Sequence, residues 1–274
     1  METNNPPLER PQHTDVRPDR DDINRRYSPY FTTTYFNLLN AAYTGELDRF
    51  KMVASSYDKR GDGLATTIQR HVDDSGTRSL SFAAAGGSLD VCRYLVEELN
   101  LDVDVKDDNG LTPLCFGAIK GHLNTVEYLL EKGANPDGSN DPDSTTNTPL
   151  HYAVLGGDRK IQTLLLSKGI RIDVATKSGT TLSYAVVLGQ LDAVKVLLDR
   201  HADPNAVLYG VIPPLMTTMV NNSPQIMDLL LHAGADPNAK SCGQTPLQFA
   251  AIFGITQSVK LLLEAGADPN ALNG

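Results

Sequence analysis

The segment Gly110-Leu-Thr-Pro-Leu-Cys-Phe-Gly-Ala-Ile-Lys-Gly121-His122, continued by Val126, Leu129, Leu130 and Gly133-Ala-Asn-Pro-Asp137, decides how the rest of the chain is read. Thr112 stands where a hydroxyl can accept from the free amides of a helix start, and Pro113 brings a preset φ to a position whose missing N–H costs nothing. Gly117 and Ala118 keep that helix thin enough for a neighbour to approach, and Gly121 suits the left-handed conformation that stops it. Val126, Leu129 and Leu130, spaced i, i+3 and i+4, make one apolar stripe on a second, antiparallel helix. Gly133 ends that helix, and Asn135-Pro136-Asp137 starts a turn projecting away from the pair.

The frame returns at Thr148-Pro-Leu-His151, at Thr180-Thr-Leu-Ser183 and at Thr245-Pro-Leu-Gln248. With the leucine of this turn as ruler, the positions are Leu38, Leu80, Leu114, Leu150, Leu182, Leu215 and Leu247, and the steps are 42, 34, 36, 32, 33 and 32. A Thr-Pro-Leu turn whose leucine recurs at about 33 residues resembles the ankyrin repeat. The resemblance implies an all-α solenoid of stacked helix-turn-helix units with short hairpin or finger loops. Each unit packs only on its neighbours, so the length of 274 residues sets no domain count.

The reading divides the chain into a tail (1–34), a degenerate N-terminal capping repeat with an insertion (35–73) and six repeats (74–274). The tail holds Pro6, Pro7, Pro11, Pro18 and Pro29 among six acids and five arginines. With so little to bury it cannot offset its ordering entropy, and disorder is expected there. Residues from roughly Tyr57 to Asp74 read as a charged loop or an added helical piece. The unit around Leu215 departs most from the frame, with Pro213-Pro214, β-branched Thr217 and Thr218, and Asn222 in place of the stopping glycine; Asn is the next best left-handed residue. Ser79 and Thr181 replace the initiating proline elsewhere, and Asp137 to Asn147 is a polar insertion that lengthens one finger. The last unit is near-consensus rather than a polar cap, from which the native protein is expected to continue beyond Gly274. Phe36-Asn-Leu-Leu-Asn-Ala-Ala-Tyr-Thr-Gly-Glu-Leu-Asp48, with Leu89-Asp-Val-Cys-Arg-Tyr-Leu-Val-Glu-Glu-Leu99, resembles plant proteins that join ankyrin repeats to a tetratricopeptide domain. That likeness implies a further peptide-binding module and supplies no site residues.

The formal charge is −9 and the pI about 5.1, a balance that repels phosphate backbones, so nucleic acid is not an expected partner. No apolar run is long enough to span a bilayer, and the N-terminus lacks a basic patch before an apolar core. Cys92, Cys115 and Cys242 are few and far apart, which fits a reducing compartment, the cytoplasm or nucleus, and neither a disulfide framework nor a metal site.

Candidate chemistry is sparse. His151 occupies the motif position where a ring bridges neighbouring turns, and His122, His201 and His232 fall at helix ends, none with a second ligand at metal spacing. Cys115 takes the histidine slot of its unit and reads as a small buried side chain. No phosphate-cradling glycine loop or nucleophile elbow occurs, and no cofactor, metal or catalytic residue is expected. Asn221-Asn222-Ser223 formally matches a glycosylation acceptor, but Pro224 follows it.

What the frame leaves free is surface. In an ankyrin stack the finger residues and the two residues before the first-helix glycine line the concave side. Here these include Ile119, Leu155, Val187, Leu188, Val220, Ile252 and Phe253, with finger residues Tyr209, Val211 and Ile212. They compose an apolar band through the C-terminal half, and such exposed surface marks an interface unless the side chains turn into the inter-repeat core. The expected function is a non-enzymatic scaffold or adaptor, monomeric, that holds a partner protein on this band. A rival reading makes the chain the regulatory or substrate-recruiting part of a kinase or ubiquitin ligase whose catalytic domain lies elsewhere.

Overall fold

A computed structural model describes residues 36–58, 61, 63–72, 76–138, 146–207 and 212–271, all within the unit Phe31–Gly274. The expected tail (1–34), the middle of the lengthened finger, and Tyr209 and Val211 lie outside the described residues. Seven helix pairs follow one another: α1 (Phe36–Thr44) and α2 (Leu47–Tyr57); α4 (Ser79–Gly86) and α5 (Leu89–Arg93); α6 (Pro113–Lys120) and α7 (Leu123–Glu131); α8 (Pro149–Gly156) and α9 (Arg159–Ser167); α10 (Thr181–Val187) and α11 (Leu191–Asp199); α12 (Pro214–Val220) and α13 (Pro224–His232); α14 (Pro246–Ile252) and α15 (Thr256–Glu264). The insertion of the first unit folds one short helix, α3 (Leu64–Arg70), against α2. No β-sheet forms among the described residues; extended pairing is limited to single bridges, Val72 with Arg78, Thr176 with Gly179 and Ser241 with Gln244.

First helices stack on first helices in chain order, from α1 on α4 to α12 on α14, and second helices form a parallel row. The ruler leucines fill the seam: Leu38, Leu80, Leu114, Leu150, Leu182 and Leu215 are buried, and Leu247 of the last pair is half-buried. Thr148, Thr180 and Thr245 each accept the amide three residues on, as the motif requires. Thr112 does not, and its hydroxyl meets Cys115 Sγ at 3.5 Å. At the other two Thr-Pro starts the residue three on, His151 or Gln248, accepts the threonine amide in return and closes a capping box, a reciprocal bond that a thiol does not make here.

The step of 34 between Leu80 and Leu114 has a structural counterpart. After Arg93 the second helix widens into a π turn, Tyr94–Glu98, which takes up one extra residue. Asn100 then adopts φ 51 at the position that Gly133, Gly169, Gly234 and Gly266 hold in other units and His201 (φ 63) in one, and its successor Leu101 bonds back to Leu95.

Adjacent repeats are also tied by polar side chains. Asp104 accepts the amide of Asn135, Asp173 that of Asp203, Asn205 that of Asp236 and Asn238 that of Asp268, at 2.8–3.1 Å. Each bond joins one inter-repeat turn to the next. Arg171 extends the series by pairing its amide and guanidinium with Asp137.

Candidate protein-binding band on the first helices

A helix leaves carbonyls unpaired at its C-terminal end, and for α1, α4 and α10 the next repeat supplies donors. The Ser88 hydroxyl donates to the Tyr43 carbonyl (2.9 Å), His122 Nε2–H to Ala85 (3.0 Å), and Asn221 Nδ2 to both Val186 and Val187 (2.9 and 3.0 Å). Where the residue before the helix stop is glycine, backbone itself closes the gap. A Cβ built on Gly86 would collide with the Tyr43 carbonyl oxygen, and one on Gly156 would stand 2.7 Å from that of Ile119. The first helices of the N-terminal half accordingly lie closer together than those of the C-terminal half.

This gradient in spacing sorts the band. Leu155 is buried, which corrects its placement on the exposed surface: Gly156 beside it draws α8 against α6, and the leucine is enclosed. Ile119, Val187 and Leu188 are half-buried. Beyond them Val220, Ile252 and Phe253 are 55%, 65% and 63% exposed, and Ile212 stands at the finger before α12. Phe253 packs its ring on Phe249, centroids 4.5 Å apart. Val207, an exposed residue on the approach to the same finger, extends the apolar surface. Asn221 is no part of the exposed surface in function, since its amide is spent on the preceding repeat.

The titratable groups are structural. His151 is fully buried; its Nε2–H donates to the Gly179 carbonyl and its Nδ1 faces the Thr148 amide and the Thr148 and Thr181 hydroxyls. Burial holds its pKa at about 4, opposed by the Gly179 bond. Burial also pushes the Cys115 thiol up to about 11 and Cys92 to about 12, so neither supplies a thiolate near neutral pH. Partial burial draws Lys120 below the ordinary lysine value. Among the described residues no three His, Cys, Asp or Glu side chains gather as a metal site, and no helix is long and apolar enough to cross a membrane.

Known proteins carry the same repeat. The murine B-cell lymphoma 3 protein homolog is 36% identical over 106 residues, 38% of this chain and 24% of that protein. The ankyrin repeat domain of human ASB11 superposes with a TM-score of 0.69 at 26% identity, covering 85% of this chain and 98% of that one. The ankyrin repeat domain of Bcl-3, at 22% identity, TM-score 0.67, 85% of this chain and 99% of that one, shares the fold. This chain spans only 14% to 25% of the length of the first curated relatives it matches. Those relatives are animal and viral, and they lend nothing to the plant tetratricopeptide likeness. The architecture is that of non-catalytic domains typical of protein–protein interaction. The family model for ankyrin repeats matches residues 38–140, 137–207 and 212–273, and the chain belongs to the ankyrin-repeat family.

Proposed function

We propose that this chain is a protein-binding scaffold whose docking surface is the apolar row at the ends of α10, α12 and α14, with Val220, Ile252 and Phe253 as its anchors. The observation that carries the reading is the contrast along one repeated position: Leu155 is enclosed while its equivalents Val220 and Ile252 are more than half exposed. Aliphatic and aromatic side chains left in water at the same position of successive repeats supply the kind of apolar surface that forms the core of an interface. Ile119, Val187, Leu188 and Ile212 contribute its flanks, and Tyr209 and Val211 belong to the same finger segment in sequence.

The test is affinity capture with mass spectrometry, followed by binding of the captured partner to Phe253→Ala and Val220→Ala proteins. Truncating a central anchor weakens binding by roughly 1–3 kcal/mol. Unchanged affinity in variants that keep the parent's helical circular dichroism would overturn the reading. Sedimentation of the free chain as a monomer is the accompanying expectation.

A further inference from the structure

The charge of the molecule is unevenly placed. The seven first helices contain no Asp or Glu and a single cation, Lys120, although the chain carries a formal charge of −9. The carboxylates lie instead on second helices, such as Glu127, Glu131, Asp192, Asp199, Asp228 and Glu264, and in the inter-repeat turns. Along the C-terminal half the fingers repeat this bias. The segments Thr176 to Gly179, Val207 to Ile212 and Lys240 to Gln244 hold no acid, and two of them carry exposed lysines, Lys177 and Lys240. The acids that precede them most closely in sequence, Asp173, Asp203 and Asp236, stand at the finger bases, where their carboxylates accept backbone amides of the turns.

We infer that the partner of the apolar band is an acidic segment, one whose aliphatic or aromatic residues seat on Val220, Ile252 and Phe253 while its Asp and Glu side chains meet Lys177 and Lys240. This rests on the docking surface proposed above. A carboxylate-bearing segment finds no carboxylate on the first helices and two ammonium groups on the fingers, whereas a basic segment would find no countercharge on either. Complementarity of this kind suppresses wrong partners and speeds encounter, and exposed pairs weaken as salt screens them.

The probe is a phage-displayed library of random linear peptides selected on the full chain, with the enriched peptides synthesised and titrated by fluorescence anisotropy. The expected result is a set of peptides rich in Asp, Glu and large apolar residues. Their affinity should fall about tenfold in the Lys177→Glu, Lys240→Glu double variant, fall at least as much in Val220→Asp, and decline as salt is raised. Both variants alter exposed positions, and circular dichroism establishes that they fold. Peptides that are neutral or basic and indifferent to the lysine reversals, yet lost in Val220→Asp, overturn the acidic partner and leave the apolar docking surface standing. Peptides indifferent to both variants, or no enrichment at all, overturn both.

Discussion

The imidazole Nε2 of His151 lies 3.2 Å from the carbonyl oxygen of Gly179, so a buried ring in one repeat bonds the finger of the next. The geometry requires the neutral ring, because Nδ1 faces the donors of Thr148 and Thr181. With a folded-state pKa of about 4 against an unfolded value of about 6.5, the unfolded chain binds the extra proton over that interval. Stability contributed by this group is therefore complete above pH 6.5 and falls on acidification toward pH 4. The loss is about 2 kcal/mol between pH 7 and 5, and about 3 kcal/mol over the whole interval. Urea unfolding at pH 7 and pH 5 measures it, and a His151→Gln protein should lose most of that difference.

Glycine inside a first helix is a steric requirement at one position and a tolerance at another. Gly86→Ala drives a methyl group into the Tyr43 backbone carbonyl, which cannot yield without separating α1 from α4. A loss of about 2–4 kcal/mol is expected. Gly117→Ala meets the movable Val126 Cγ2 at 3.2 Å and gains helix propensity, so its effect stays within about 1 kcal/mol of zero. Equal denaturation midpoints for the two variants would contradict this.

The sequence carried the repeat because each motif residue answers a local demand: Pro113 starts a helix, Gly121 and Asn222 stop one at positive φ, and Leu114 fills a seam. The π turn was visible only as a step of 34, since nothing in Tyr94 to Glu98 marks how the extra residue is absorbed. The band was less legible. Leu155 and Val220 occupy the same position of the repeat, and their different exposure comes from how far apart neighbouring helices stand, which Gly156 sets in one case and Asn221 in the other. Side-chain direction of this kind is a property of repeat spacing and has no local signature.

Asn221 couples two repeats through a pair of hydrogen bonds to the end of α10. Asn221→Leu keeps the volume and removes both donors, leaving the Val186 and Val187 carbonyls without that partner. The cost should be about 1–2 kcal/mol, and it should appear as faster opening of α12 to α15 with α6 and α7 unchanged. Residue-resolved hydrogen exchange reads both.

The last helix pair differs from the inner ones in having a described neighbour on one side. Leu262 is fully buried, yet Leu263 beside it is 47% exposed and Leu247 is half-buried, where Leu114 and Leu129 of an inner pair are enclosed. A repeat array is stabilised by interfaces between neighbours, so a pair with one such interface opens first. Amides of α14 and α15 should therefore exchange before those of α6 and α7, through a local opening that costs less than global unfolding. The same asymmetry governs core truncations. Leu129→Ala should lower global stability by about 2–5 kcal/mol, the range for a buried leucine. Leu262→Ala removes an equally buried side chain, but its effect on the global transition is bounded by the free energy of the local opening, beyond which the pair is already unfolded. Equal protection of α7 and α15, together with equal shifts of the main unfolding transition for the two leucines, would show instead that the last pair is as firmly held as an inner one.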